Sequence, residues 1–131
     1  MPSGKGGKMS GIKILLAEDY KGSQIITMRL LKQNGFEEVE IAENGEEAIK
    51  LAKEKKFDLI LMDTQMPIMS GLEAIEKIRL MRRYRRIPII ALSAFATKGD
   101  RRQCAEIGAT DLVAKPINAK ELIEKMMRYT N

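Results

Sequence analysis

Polar side chains follow four of the five apolar runs in this chain, at positions where they could form one charged site. Glu18 and Asp19 follow the first run, Asp63 ends the third, Ser93 ends the fourth, and Lys115 comes directly after the fifth. Considered alone, each of these residues has an ordinary structural explanation. An acid at a strand end usually caps the next loop or helix, a serine there usually hydrogen-bonds the local backbone, and a surface lysine is usually solvated. The five residues form a site only if the fold brings their segments together.

The hydrophobic pattern predicts the elements that must position these residues. Apolar runs of strand length alternate five times with amphipathic segments. The predicted strands are 12–17, 39–42, 59–63, 87–92 and 111–114, and the predicted helices are 23–34, 45–54, 71–81, 98–107 and 119–129. Such alternation is typical of parallel strands whose right-handed helical crossovers cover both faces of the sheet. The predicted fold class is therefore α/β, a single doubly wound (βα)5 domain with a five-stranded parallel sheet.

In an open sheet of this kind, ligands bind outside the carboxyl ends of the strands. All five polar residues lie at such ends, so the fold predicts that they meet. The run from Leu59 to Met62 is apolar without interruption, which is typical of a strand buried on both faces. The first helix is expected to turn five apolar residues towards the core: Ile25, Ile26, Met28, Leu30 and Leu31.

Length and composition favour one compact domain. The chain has 131 residues, of which 12–131 are assigned to the domain, while 1–11 are rich in Gly, Ser and Lys and predict a disordered leader or a cloning remnant. The absence of a signal-peptide pattern and of a long apolar run predicts a cytoplasmic protein with no membrane partner. Cys104 is predicted to be a small core residue of a helix, because the chain has no histidine to join it in catalysis or zinc binding.

The densest basic run surrounds the end of the third predicted helix. Arginines near a helix C-terminus are favoured by the helix dipole, and such runs are usually solvated. No helix-turn-helix, zinc or aromatic stacking pattern accompanies the run, so direct nucleic-acid binding is not expected. The run consists of Arg79, Arg82, Arg83, Arg85 and Arg86.

Three carboxylates brought together need compensating charge. Two unit charges about 4 Å apart repel by roughly 4 kcal/mol at an effective dielectric of about 20. Lys115 offsets part of the repulsion, so either one carboxylate stays protonated or a cation binds. Oxygen ligands favour a hard cation, Mg²⁺ or Mn²⁺, with water completing the octahedron.

A metal, a hydroxyl and an amine around one carboxylate indicate phosphoryl transfer. Asp63 would be the nucleophile and would form an acyl phosphate, while the metal and Lys115 neutralise charge on the transferring oxygens. Ser93 would hydrogen-bond one of the phosphoryl oxygens.

Four short motifs carry a resemblance to a known family. They are EDY at 18–20, MDTQMPIMSG at 62–71, ALSA at 91–94 and AKPI at 114–117. In this order and spacing they resemble the receiver domain of two-component response regulators over residues 12–129. Two further segments, IAENGEEA at 41–48 and ALSAFATKGDRRQC at 91–104, look most like the receivers of hybrid histidine kinases. The resemblance implies a flavodoxin-like sheet of strand order 2-1-3-4-5.

The resemblance also implies a role for each site residue. Asp63 is the implied phosphoacceptor, and Ser93 and Lys115 fill the family's hydroxyl and lysine positions. The implied metal ligands are the side chains of Glu18, Asp19 and Asp63 and the backbone carbonyl of Gln65.

The implied partner is a histidine kinase or a phosphotransfer domain that carries phosphohistidine. The implied readout surface is the fourth helix, fifth strand and fifth helix, where Lys98, Arg101 and Arg102 are expected to be exposed. Phe95 and Gln65 are expected to tune how fast water removes the phosphoryl group. In this interpretation the chain is a signalling module rather than an enzyme, and it catalyses only its own phosphorylation and dephosphorylation.

Two positions depart from the family pattern. Glu18 stands where an aspartate is also common, which lengthens one arm of the acid pair and predicts that it reaches the metal through water. Leu112 stands where many receivers have Tyr or Phe, an aromatic side chain that rotates inward when the Ser or Thr moves. We therefore hypothesise that movement of Ser93 is read mainly by the loop 94–97 and the helix after it.

Other functions stay open at this point. The chain fits a free-standing receiver or a fragment of a larger hybrid histidine kinase, and a homodimer is compatible with either. A phosphatase of the haloacid-dehalogenase type also uses a strand-end aspartate and magnesium, but such enzymes usually have a second Asp where Gln65 stands here. A phosphate-independent interaction domain, or a DNA-binding domain that uses the arginines, is disfavoured because all the acids, Ser93 and Lys115 are present.

Overall fold

The computed structural model describes residues 11–130, in which five strands alternate with five α-helices. The strands are β1 (Lys13–Ala17), β2 (Glu38–Ala42), β3 (Leu59–Asp63), β4 (Ile89–Ser93) and β5 (Asp111–Ala114). The helices are α1 (Lys21–Gln33), α2 (Gly45–Glu54), α3 (Gly71–Arg79), α4 (Lys98–Glu106) and α5 (Ala119–Thr130). The predicted leader, 1–11, lies outside the described residues apart from Gly11, so its disorder stays a prediction.

All the strand pairs are parallel, and the strand order is β2-β1-β3-β4-β5. This confirms the doubly wound fold and the strand order that the resemblance implied. The register pairs Asp63 with Leu92 and Ser93 with Ala114, so the carboxyl ends of β3, β4 and β5 lie at one edge of the sheet. None of the described helices is long and apolar enough to span a membrane.

The alternation of side chains along β3 explains its uninterrupted apolar sequence. Ile60 and Met62 belong to one buried cluster with residues of α2, α3 and α4, whereas Leu59 and Leu61 belong to a second cluster with residues of α1 and α5. Successive residues of a strand point to opposite faces, so a strand covered on both sides needs apolar residues throughout. Asp63, the last residue of β3, is buried as well.

Local signals set the helix ends. Asn44 directly precedes the predicted helix 45–54 and is of a residue type typical of an N-cap; it caps α2, with its side chain accepting a hydrogen bond of 2.8 Å from the Glu47 amide. The third helix was predicted to end at residue 81, but it ends two residues earlier, at Arg79. A short 3₁₀ helix, Arg82–Tyr84, follows it. That turn buries Tyr84, whose hydroxyl donates to the carbonyl of Ala52.

The predicted inner face of α1 is partly wrong. Ile25 and Ile26 are 58% and 68% exposed, whereas Gln24, Thr27 and Leu31 are buried. The prediction holds for Leu31, and Met28 and Leu30 are partly buried against the same core, so the error is confined to Ile25 and Ile26. Gln24 can be buried because its side-chain amide donates a 2.6 Å hydrogen bond to the Glu18 carbonyl.

The arginine run is solvated as expected, except at its first member. Arg82, Arg83, Arg85 and Arg86 are exposed. Arg79 is partly buried, and its guanidinium donates to the carbonyls of three residues in neighbouring loops: Tyr84, Ile87 and Gly108. Cys104 is buried in α4, as predicted.

Candidate functional site

Three carboxylates converge at the carboxyl edge of the sheet. Glu18 and Asp19 follow β1 and Asp63 ends β3, and each offers a carboxylate oxygen that lies within 4.8 Å of the others. Glu18 and Asp63 are 2% and 5% exposed, whereas Asp19 is open to solvent. The acidic cluster expected from the sequence is therefore present, with two buried members and one accessible member.

Lys115 bridges the two buried carboxylates. Its ammonium lies 2.6 Å from Oδ2 of Asp63 and 2.9 Å from Oε1 of Glu18. The Lys115 amide donates to the carbonyl of Ser93, which ties the end of β5 to β4, and the peptide bond between Lys115 and Pro116 is cis. A residue at the end of the fifth strand is thus brought into contact with residues at the ends of the first and third.

The site carries excess negative charge even with the lysine in place. Burial raises the pKa of Glu18, and the nearby charge of Asp63 adds to this, while hydrogen bonds from Lys115 and the Tyr20 amide act in the opposite direction. Burial disfavours the charged form of Lys115, but its contacts with Asp63 and Glu18 outweigh that effect and raise its pKa, so the ammonium stays charged. One cation faces three acids with only oxygen ligands, which is a donor set suited to a hard divalent cation.

The loop after β3 fixes Asp63 through close backbone contacts. The Gln65 amide donates a 3.0 Å hydrogen bond to Oδ1 of Asp63. The Gly71 amide donates to the Thr64 carbonyl, and a Cβ placed on Gly71 would lie 1.7 Å from the carbonyl oxygen of Asp63. Glycine is therefore required at position 71, because any side chain there would push the start of α3 away from Asp63.

Ser93 is buried at the end of β4, where its hydroxyl is already occupied by the local backbone. The hydroxyl donates to the carbonyl of Phe95 at 2.6 Å and accepts from the Phe95 amide at 3.0 Å. Phe95 itself is 53% exposed. Leu112, at the position where the family often has an aromatic residue, is buried in the core beside β4.

Sequence reasoning missed two features of the site. The first is Gln24, which was assigned no role although its side chain holds the Glu18 carbonyl. The second is a set of large apolar side chains that are exposed on α1 and on the loops after β1, β3 and β4. Their exposed positions could not be read from hydrophobicity, which predicts burial. These residues are Tyr20, Ile25, Ile26 and Ile68, and Phe95, for which the resemblance already implied a role, is exposed as well.

Comparison with known proteins identifies the family of this chain. A family model for the response regulator receiver domain matches residues 14–127. The chain belongs to this family. It is a receiver domain of two-component signalling, and the resemblance drawn from the four motifs is confirmed.

Relatives of this receiver domain include both long and short proteins. It is 44% identical to hybrid signal transduction histidine kinase I of Dictyostelium discoideum over 126 residues, a match that covers 91% of the chain but 7% of the kinase. It is 36% identical to the polar-differentiation response regulator DivK of Brucella anthropi, a match that covers 88% of the chain and 94% of DivK.

Solved receiver structures share the fold. The receiver domain of the sensor histidine kinase PA1611 of Pseudomonas aeruginosa, solved with a magnesium ion coordinated in its active-site cleft, is 36% identical with a TM-score of 0.85, covering 92% of this chain and 98% of that one. The co-crystal structure of the Saccharomyces cerevisiae histidine phosphotransfer protein Ypd1 with the receiver domain of Ssk1 gives 30% identity and a TM-score of 0.84, covering 91% and 88%.

Proposed function

We propose that this receiver domain accepts a phosphoryl group on Asp63 from the phosphohistidine of a histidine kinase or phosphotransfer domain. The observation that carries the proposal is the position of one buried carboxylate between a charged lysine, 2.6 Å away, and an acid pair that can hold a cation. A structural ion pair would not need the extra acids, because a second buried carboxylate beside one lysine, with a third carboxylate close by, adds repulsion without adding a partner.

The proposed metal is Mg²⁺ or Mn²⁺, held by Glu18, Asp19, Asp63 and the backbone carbonyl of Gln65. The donor set supports this, since the carboxylate oxygens already lie within 4.8 Å of one another and Asp19 is open to solvent. The magnesium ion in the related PA1611 receiver agrees with it. When bound, the cation supplies positive charge against the phosphoryl oxygens.

The proposed reaction is an in-line displacement at phosphorus. A carboxylate oxygen of Asp63 forms the new P–O bond while the P–N bond to the donor histidine breaks, and the leaving imidazole keeps the electron pair and takes up a proton. Lys115 stays charged and stabilises the transferring oxygens. The product is an acyl phosphate on Asp63, and this self-modification is the chemistry proposed for a protein that otherwise acts as a signalling module.

The proposed switch starts at Ser93. To bond a phosphoryl oxygen, its hydroxyl must leave the carbonyl and amide of Phe95, which releases the loop 94–97. Leu112 cannot act as an aromatic rotor, so the signal is expected to reach the face of α4, β5 and α5 through that loop. Three exposed basic residues lie on α4 to meet a partner: Lys98, Arg101 and Arg102.

The whole protein in which this domain acts is a separate question. The chain spans 7% of the Dictyostelium kinase and 94% of DivK, so the domain fits either a hybrid kinase or a free-standing regulator. We propose a cytoplasmic place of action, where kinases and phosphotransfer domains would reach it, with a homodimer or a second protein receiving the signal. Phe95 and Gln65, whose side chains are exposed beside the site, would set how fast water removes the phosphoryl group.

Labelling by a small phosphoryl donor tests the proposal directly. Incubation with acetyl phosphate and Mg²⁺ should add one phosphoryl group to the wild-type protein, measured by mass spectrometry, and none to Asp63→Asn. Asp58→Asn, at the opposite end of β3, is the matched control and should be labelled normally. Turnover of phosphate esters would instead indicate a dehalogenase-type enzyme, and DNA binding that survives Asp63→Asn would indicate a phosphate-independent domain.

A further inference from the structure

Gln24 is a buried polar residue of α1 to which the proposed reaction gives no part. It is 5% exposed and shares the buried face of the helix with Thr27 and Leu31. A glutamine in such a place gives up its hydrogen bonds to water and its side-chain freedom on folding, so an apolar residue is the ordinary choice there. The hydrogen bonds of Gln24 show what the polar side chain provides instead.

Two hydrogen bonds from Gln24 enclose the backbone of Asp19. The side-chain amide donates a 2.6 Å bond to the carbonyl of Glu18, and the backbone amide donates a 3.0 Å bond to the carbonyl of Tyr20. The second bond is the first of the helical ladder, and any residue except proline would make it. The first bond depends on the glutamine side chain.

Other hydrogen bonds hold the same loop between β1 and α1. The Glu18 amide donates to the Ala42 carbonyl of β2 at 2.9 Å, and the Tyr20 amide donates to Oε2 of Glu18 at 3.1 Å. Gln24 adds the anchor for the Glu18 carbonyl. Loss of that anchor would free the peptide group between Glu18 and Asp19, and reorientation of this peptide group would move both carboxylates relative to Asp63.

A divalent cation requires the acid pair, Glu18 and Asp19, to keep its geometry. Each of the pair offers a carboxylate oxygen within 4.8 Å of one from Asp63. Mg²⁺ demands near-ideal octahedral geometry, so its binding is sensitive to small displacements of the ligands. Asp19 is exposed, so packing does not hold its side chain, and its position depends on the backbone that Gln24 encloses.

We propose that Gln24 is a positioning residue for the acid pair, whose side-chain amide holds the loop between β1 and α1 in the arrangement that binds Mg²⁺. The inference rests on the proposed function and adds a residue outside the proposed ligand set to its metal site. Gln24 acts through the Glu18 carbonyl and takes no part in the bond changes at phosphorus. It therefore sets how tightly the metal binds and leaves the rate at saturating metal unchanged.

Two substitutions remove the side-chain bond. Gln24→Met keeps a side chain of similar length without a donor, and Gln24→Asn keeps the amide but is one methylene shorter, which withdraws the donor from the Glu18 carbonyl. Asn34→Ala is the matched control, because the Asn34 side-chain amide donates a 2.9 Å bond to the Leu30 carbonyl at the other end of α1. The control removes the same kind of bond from the same helix, away from the acidic cluster.

Two measurements separate metal binding from chemistry. An NMR titration with Mg²⁺ gives the dissociation constant, and acetyl phosphate labelling over a range of Mg²⁺ concentrations gives the half-saturating concentration and the maximal rate. Thermal unfolding with a chelator shows that each variant is folded, and Gln24→Asn carries the test if Gln24→Met does not fold.

For Gln24→Met, the Mg²⁺ dissociation constant and the half-saturating concentration are both expected to rise about tenfold, as when an outer contact of a metal ligand is lost. The maximal rate should stay within about twofold of the wild-type value, because Gln24 does not act on the reacting atoms. Gln24→Asn should shift both quantities in the same direction by about threefold or more. Asn34→Ala should change neither.

Unchanged Mg²⁺ affinity in the folded Gln24 variants would overturn the inference, whatever happens to the labelling rate. An equal loss of affinity in Asn34→Ala would overturn it as well, since the effect would then come from general destabilisation of α1. A wild-type protein that binds no Mg²⁺ would defeat the proposed metal site and the inference with it. Mg²⁺ binding without acetyl phosphate labelling would defeat the proposed function, while the affinities of the variants would still decide the inference.

Discussion

At the scale of single residues, the site depends on one lysine that compensates two buried carboxylates. Among the described residues, Lys115 is the cation that contacts both Glu18 and Asp63. An unpaired buried carboxylate is costly, and its usual response is a raised pKa, as the Glu18 carboxyl shows even with its partner present. The lysine and a divalent cation are therefore partly interchangeable as sources of positive charge.

Replacing Lys115 with Gln is expected to destabilise the metal-free protein by about 2 kcal/mol, less than for a fully buried pair because the lysine is partly exposed. Mg²⁺ should then stabilise the variant more than the wild-type protein, since it supplies the missing charge. Urea unfolding with a chelator and with saturating Mg²⁺ measures both effects.

The control for the lysine variant is Lys55→Gln, which removes an exposed ion pair with Glu40. It should cost less than about 1 kcal/mol and leave the Mg²⁺ effect unchanged. Equal stabilisation of the wild-type protein and Lys115→Gln by Mg²⁺ would show that the lysine and the metal do not share the same carboxylates.

At the scale of elements, α5 is fastened to β5 by polar contacts at the edge of the sheet away from the acidic cluster. Asp111 accepts hydrogen bonds from the Lys125 ammonium at 3.0 Å and from the Tyr129 hydroxyl at 2.8 Å. Burial acts to raise the pKa of Asp111, but the hydrogen bonds from Tyr129, the Leu112 amide and Lys125 outweigh it and lower the pKa. These contacts brace one side of the proposed readout face.

Because its pKa is lower in the folded state, Asp111 stabilises the fold above its unfolded pKa of about 4, and this stabilisation is lost as the pH falls through the folded pKa. Asp111→Asn is therefore expected to lower the free energy of unfolding by about 1–2 kcal/mol at neutral pH, with a smaller difference in acid. Urea titrations of both proteins between about pH 7 and pH 3 measure this. A difference that stays constant with pH would point to packing instead of charge.

At the scale of the whole molecule, the site and the proposed readout face are joined by the end of β4. Ser93 bonds the backbone of Phe95, and the chain enters α4 at Lys98, where Thr97 and Asp100 form a capping box. With Leu112 buried in place of an aromatic residue, this short segment is the direct covalent path from the phosphoryl site to α4. A change in the bonding of Ser93 is expected to bias the loop between two arrangements.

Binding of beryllofluoride with Mg²⁺, which mimics the phosphoryl group, should therefore shift amide resonances in residues 94–104. The shifts should be absent in Asp63→Asn. Heteronuclear NMR spectra of the two proteins with and without the ligand provide the measurement. Shifts confined to β3 would contradict a readout through this loop.

Much of the architecture follows from the sequence alone. The order of strands and helices, the burial of β3 on both faces and the capping role of Asn44 depend on patterns within a few residues, which the backbone converts directly into periodicity and hydrogen bonds. The meeting of Glu18, Asp63 and Lys115 also follows, because the carboxyl ends of parallel strands share one edge.

Other features were decided only by the tertiary structure. Hydrophobicity assigned Ile25 to the core and gave Gln24 no role, but the Glu18 carbonyl requires a hydrogen-bond donor at that place and so the polar residue is buried. The contact of Gly71 with the Asp63 backbone and the left-handed turn at Ile68 likewise depend on how one loop is held against two other elements. Local sequence patterns predict whether a side chain is buried or exposed. Contacts between segments that are distant in the sequence can reverse that prediction, and those contacts are known only from the tertiary structure.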